Sequence, residues 1–372
     1  MFITIYKTNY LMKRYIGIIV ILFSIPALAQ NTVKMNAVKS NNYGVAYSLP
    51  KTTIEVTATV SKKTRIAGEF YQYAGRYLNI SNPITEDEVI FTLKKVDATP
   101  IGIPDKNNSY LVEFRTGTVA PFVTLTKDGL ICAINEEVTD YPKGGSIVAI
   151  SNKEENSTTA LNPQTFLSEE ILRAGSTAKQ AELIAKQIYR LRESKTNIIT
   201  GEADNMPPDG ESYKLIMNQI DEQEKALISM FAGTEVEETL QKAFIVEPDE
   251  KNIDRKIVFR FSKKLGVVES NNLAGAPVTL TLTNKIPKDD APISPKEQKA
   301  LEKKFSSGIV YNIPAKANLK IEFDNRILVE KECDIVQYGT QDVLAPKMLS
   351  NGKNAIKVIF HPELGAIKQI GQ

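Results

Sequence analysis

The chain of 372 residues has no tryptophan, one histidine and two cysteines, and each shortage closes off a chemistry. Ser–His–Asp and Cys–His sites need a general base beside the nucleophile. The lone His361 opens the turn sequence HPELG (361–365), opposite in parity to Val358 and Phe360, so it is expected at the surface with no catalytic role. A zinc hydrolase motif of the HExxH type requires two histidines. Without tryptophan the best aromatic face for stacking on a sugar or a cation is missing, which leaves glycan binding to tyrosine. Neither GxGxxG nor GxxxxGK[ST] occurs, so a nucleotide has no phosphate cradle, and no cofactor is expected.

Cys132 and Cys333 stand far apart and outside any CxxC spacing. In LICAIN (130–135), Cys132 shares strand parity with Leu130 and Ile134 and reads as a buried thiol, because free cysteine behaves as a small hydrophobe. A 132–333 disulfide is the less favoured alternative, since sequence does not show proximity.

What is present begins at the N-terminus. Lys13 and Arg14 precede the apolar run YIGIIVILFSIPALA (15–29), and Ala27-Leu28-Ala29 forms a small-x-small end before Gln30. That is the pattern of a secretory signal peptide, and the run is too short for a span of about 20 residues. Met12 is an alternative start. No cysteine near the cleavage site could carry a lipid, so the product is expected in the periplasm or at the cell surface, and not as a lipoprotein. Cleavage after Ala29 removes Lys7, Lys13 and Arg14 from 46 basic residues, leaving 43 against 44 acidic ones. Such a balance lacks the basic excess that phosphate neutralisation demands, so nucleic acid is not an expected partner. No second apolar run of about 18 residues follows, so the mature chain is expected to be soluble, without a transmembrane span.

From Tyr43 to about Asn135 the pattern has period two. Ile54, Val56, Ala58 and Val60 share one face of TIEVTATV (53–60), and Asp128-Gly129 supplies a hairpin turn into LICAIN. Phe70, Tyr73, Ala74 and Tyr77 recur at helical spacing, predicting a short helix packed on the sheet. A stretch rich in Gly, Asn, Ser and Thr (136–165) reads as a linker. Thr177 with Gln180 then forms a capping box before an apolar stripe at Ala181, Ile184, Ile188 and Leu191. Asp209 would cap a second helix whose inner face carries Tyr213, Ile216, Met217, Ile220, Leu227 and Phe231. Together they predict an antiparallel hairpin, which Gly233 ends. Beyond about 240 the alternation returns. KIVFRFS (256–262) should turn Ile257, Phe259 and Phe261 inward, and VTLTLT (278–283) should bury Val278, Leu280 and Leu282. The box SPKE (294–297) starts a short helix, strands follow at 308–314, 318–323 and 326–338, and a hairpin closes the chain over 356–370.

These patterns predict an α+β fold, mostly antiparallel β, with two sandwich-like β domains (30–160 and 239–372) and a helical hairpin between them (161–238). The stretches YSLPKTTIEV (47–56), AELIAKQIYRLRESKTNIITGEAD (181–204), MPPDGESYKLIMNQIDEQEKALISMFAGT (206–234) and the end from GIVYNIP onward resemble the exported bacterial family known as domain of unknown function 4831. The resemblance covers nearly all of the mature chain. It implies membership and no mechanism.

The remaining chemistry is that of carboxylates. The loop between the helices gathers Glu202, Asp204, Asp209 and Glu211, which could offer oxygens to calcium. Their spacing is not that of an EF-hand, and most have structural work: Asp209 as a cap, Glu211 in the first helical turn. The turn-and-cap reading is therefore preferred over the metal site. The function expected is an exported, non-catalytic binding or envelope-assembly protein with a protein partner. A periplasmic glycan hydrolase using paired carboxylates is the alternative.

Overall fold

The alternating face of TIEVTATV is the floor of the largest core: Ile54, Val56, Ala58 and Val60 are all buried. The computed structural model describes residues 44–113, 123–138, 162–204, 210–286, 294–305, 308–344 and 356–371. The signal segment, most of the Gly/Ser/Thr-rich stretch and Asp209 lie outside them.

Strand β1 (Gly44–Ile66) pairs antiparallel with β2 (Glu88–Glu113) on one side and β5 (Thr234–Val246) on the other, giving the order β2-β1-β5. A second sheet runs β10-β9-β8-β6-β7, built from β6 (Ile253–Ser262), β7 (Gly266–Val268), β8 (Ala276–Asn284), β9 (Ile309–Phe323) and β10 (Arg326–Leu344). The two sheets face each other as a sandwich. Between them lie the β1 residues, Val96 and Ala98 of β2, Val246 of β5, and Phe259, Phe261, Val278, Leu280, Leu282, Leu319, Ile321 and Ile335 from the larger sheet. Each such side chain contributes about 1.5–3 kcal/mol on full burial, so this core dominates stability. A type I′-like turn at Asp324-Asn325, both with positive φ, joins β9 to β10 and matches the twist of the flanking strands.

Val278, Leu280 and Leu282 point inward as their alternation predicts. In β6 the parity changes: Val258 and Phe259 are both buried while Ile257 is half-exposed. The register with β8 shifts between Ile257 and Phe259, and such an irregularity moves later side chains to the other face.

A smaller core sits under the third sheet, β12-β11-β4-β3, formed by β3 (Val123–Leu125), β4 (Ile131–Ile134), β11 (Lys357–His361) and β12 (Ala366–Gly371). Its interior takes Ile131, Ile134, Val358 and Phe360, with Tyr47, Leu49, Ile309, Val310 and Leu344 from the long strands. Thus β1, β9 and β10 each serve both cores. The change happens at proline: the β1–β2 register shifts between Ser48 and Pro50, and the β9–β10 register shifts opposite Pro314, between Ile335 and Thr340. Proline cannot donate to the ladder and sits at such breaks. The strands predicted separately at 308–314 and 318–323 are accordingly one bent strand.

The helical part comprises α1 (Ala74–Leu78) after a 3₁₀ turn (Tyr71–Tyr73), a further 3₁₀ turn (Pro163–Phe166), α2 (Glu169–Leu172), α3 (Thr177–Thr200) and α4 (Glu211–Ala232). Helix α5 (Pro295–Phe305) lies in the C-terminal half, with the reciprocal box in place: Ser294 Oγ accepts from Glu297 N–H at 3.3 Å and Glu297 Oε2 accepts from Ser294 N–H at 3.0 Å. Helices α3 and α4 form the expected hairpin, and Gly201 and Gly233, both at positive φ, close them. Three details differ from the sequence reading. The cap of α3 is Ser176, which accepts from Lys179 N–H at 3.2 Å, so Thr177 is already helical. The N-cap position of α4 is Gly210, with no side-chain hydrogen bond, and Asp209 lies outside the described residues. And α1 packs on the hairpin instead of the sheet: Phe70 and Ala74 join Ile184, Ile188, Leu227 and Phe231 in a third core.

Candidate functional site

The acidic loop lies between α3 and α4. Glu202 and Asp204 follow the C-cap of α3 and are exposed, as is Glu211, which pairs with Lys214 one turn on, at 3.2 Å. Asp209 lies outside the described residues. Among the described residues no group of three or more His, Cys, Asp or Glu side chains could hold a metal ion. Glycine occupies both helix ends that flank the loop, Gly201 after α3 and Gly210 before α4.

The hairpin itself is more informative. Its base is anchored: Phe70 N–H donates to Met230 O at 2.7 Å, Ile84 N–H to Ala232 O at 2.8 Å, and Ala181, Ile184, Leu227 and Phe231 fill the core beneath. Its outer half is not. Of the six residues expected on the inner face of α4, only Leu227 and Phe231 are buried; Tyr213, Met217 and Ile220 are half-buried and Ile216 is exposed. Near the tip Ile199 is 61% and Leu215 62% exposed. The reason is geometric: among the described residues α1 and the 3₁₀ turns pack at the base, and beyond them the two helices pack on each other. Arg192–Glu224 at 2.6 Å and Lys195–Asp221 clip the two helices together there.

The remaining candidates meet where the three sheets join. The HPELG turn between β11 and β12 is held by the buried Asn312, whose Nδ2 donates to Pro50 O at 3.2 Å and Leu364 O at 3.0 Å, while its N–H donates to Gly365 O at 2.9 Å. Gly365 has φ +64° and Gly102 of β2 lies so close that a Cβ there would sit 2.0 Å from Glu363 O. His361 is partly exposed, its Nδ1 3.4 Å from Glu363 Oε1. Beside this turn is a cleft of about 300 Å³, walled by Thr52, Gly102, Lys331, Cys333, Asp334 and Glu363 among others. Sequence reading missed Glu363, Lys331 and Asn312. They belong to a turn and two distant strands, and no periodicity links them.

Cys132 and Cys333 are both buried and free. Burial pushes the Cys132 thiol up to about 12, with the charge of Glu363 adding to it, and burial pushes Cys333 up to about 11. Thiols held protonated in this way are inert as nucleophiles. Among the described residues the carboxyls of Glu182, Glu237, Glu297 and Glu332 are pushed down, first of all by hydrogen bonds from Lys186, Ser61, Ser294 and Lys285 respectively.

A family model described as Domain of unknown function (DUF4831) matches residues 43–368. No curated protein matches the chain, and no solved structure does.

Proposed function

The chain belongs to that family, whose function is not known, and from its architecture we propose that this member is an exported, non-catalytic binding protein of the cell envelope that presents the helical hairpin to a protein partner. The observation that carries the reading is the outer half of the hairpin, where Ile199, Leu215 and Ile216 face solvent on a projection whose base is fixed to the sandwich. Apolar side chains grouped on a rigid projection favour association. Export rests on the segment 1–29; none of its residues is among those described. Among the described residues no helix is long and apolar enough to cross a membrane.

The test places a photo-crosslinking residue at Leu215 in the producing cell, with Glu330 on the sheet surface as control. A defined adduct from Leu215 and none from Glu330, on a protein whose N-terminus is Gln30, is the expected result. Equal, diffuse labelling from both positions, or recovery of the protein with Met12 retained, would overturn the reading.

A further inference from the structure

The cleft at the junction of the sheets is lined by two side chains of opposite charge, Glu363 and Lys331. Glu363 Oε2 is buried and has no hydrogen-bond partner, although its sister oxygen lies near His361 Nδ1. A buried acceptor without a donor is costly and calls for an explanation, such as a ligand group or water outside the chain. On the β10 wall, Lys331 lies on the same strand face as Cys333 and Ile335, exposed and with no ion-pair partner among the described residues. Its neighbours Glu332 and Asp334 also border the cleft but are already engaged, Glu332 with Lys285 and Lys316, Asp334 with Lys316 at 3.3 Å. One carboxylate and one ammonium side chain therefore border the same cavity.

We infer that this cleft binds a small zwitterion of the amino-acid type, its ammonium donating to Glu363 and its carboxylate accepting from Lys331. The terminal torsion of a glutamate is soft, so the carboxylate of Glu363 turns to a donor in the cleft at little cost. The volume of about 300 Å³ lies at the small end for ligand pockets, which suits a free amino acid or a short peptide rather than a polymer. A divalent cation is the wrong occupant, since among the described residues no set of three ligating side chains converges. The walls are firm. Thr52 is fixed through its backbone N–H to Gln337 Oε1 at 3.1 Å and through its Oγ1, which accepts from Val336 N–H at 3.0 Å. The HPELG turn is held by Asn312. A site on rigid elements needs little ordering to bind.

Isothermal titration of the purified protein at millimolar ligand tests this with alanine and alanyl-alanine as zwitterions. Ethylamine, acetate and acetyl-alanyl-alanine amide serve as controls. Saturable binding of at least one zwitterion is expected, weaker by about tenfold or more after Glu363→Gln and after Lys331→Met, because each removes one charge-assisted hydrogen bond. Binding of alanine and alanyl-alanine in different degree then separates a free amino acid from a peptide terminus. No heat from either zwitterion, equal binding by a singly charged or neutral control, or affinity unchanged in both variants would each overturn the assignment. Both substitutions fall on side chains that are at least partly exposed, and circular dichroism of each variant confirms that a lost signal is not a lost fold.

Discussion

Tyr47 is bonded as though it were a piece of strand. Its buried hydroxyl donates to Val310 O at 3.0 Å and accepts from Val310 N–H at 2.8 Å, and burial holds the phenol protonated well above its ordinary range. Tyr47→Phe leaves both backbone groups of Val310 without a partner inside the smaller core. We expect a loss of about 1–3 kcal/mol in urea denaturation, the cost of an unsatisfied buried group; a change within about 0.5 kcal/mol would mean that water replaces the hydroxyl. The two thiols make a second residue-level case. Both are raised above the ordinary thiol value of about 9, Cys333 to about 11 and Cys132 to about 12. The folded chain thus keeps protons that the unfolded chain loses first, so this contribution is complete below pH of about 9 and disappears as pH rises through 11 to 12. Stability measured across that window should fall steadily, and a thiol reagent at neutral pH should find two reactive groups only after denaturation. A protein that yields none even when unfolded would contain a disulfide instead.

At the scale of elements, the hairpin divides into an anchored base and an open outer half, and the same kind of substitution should report the difference. Ile188→Ala, fully buried against α1 and α4, is expected to cost about 2–5 kcal/mol. Leu215→Ala, 62% exposed, should stay within about 0.5 kcal/mol while weakening the crosslink described above. If Leu215→Ala is as damaging as Ile188→Ala, the tip is packed in solution and is not a free surface. The acidic loop gives an element-level prediction of the opposite kind. Glu202, Asp204 and Glu211 are all exposed, so millimolar calcium should leave the melting temperature unchanged and Asp204→Asn should be silent. A native-state site would instead stabilise by about 2.7 kcal/mol at a hundredfold excess over Kd, and a calcium-dependent rise abolished by Asp204→Asn would restore the metal reading.

For the molecule as a whole, the joint between sheets is the point on which the architecture depends. Gly102 of β2 passes the HPELG turn so closely that only a residue without Cβ fits, and Asn312 ties the same turn to β1 and β9. Gly102→Ala must push the turn away from the sandwich. The expected cost is about 1–3 kcal/mol or more, as for overpacked interiors, with earlier proteolysis of the C-terminal hairpin than of the sandwich. Uniform destabilisation without local opening would show that the cores move as one unit and that the joint is not the weak point.

The sequence by itself determined the local features. The alternation of β1 and β8, the Asp128-Gly129 turn, the SPKE box, the glycine ends of both long helices and the buried state of Cys132 all follow from period, propensity and turn chemistry over a few neighbouring residues. What the tertiary structure alone decided was which strands share a sheet. Strand β5, beyond the hairpin, pairs with β1, and β1, β9 and β10 break register near Pro50 and Pro314 and serve two cores. Alternation fixes which face of a strand is apolar, but it carries no information about which distant strand completes the ladder. The same holds for the cleft: Glu363 and Lys331 stand 32 positions apart in the chain, and only the meeting of three sheets puts their charges on one cavity.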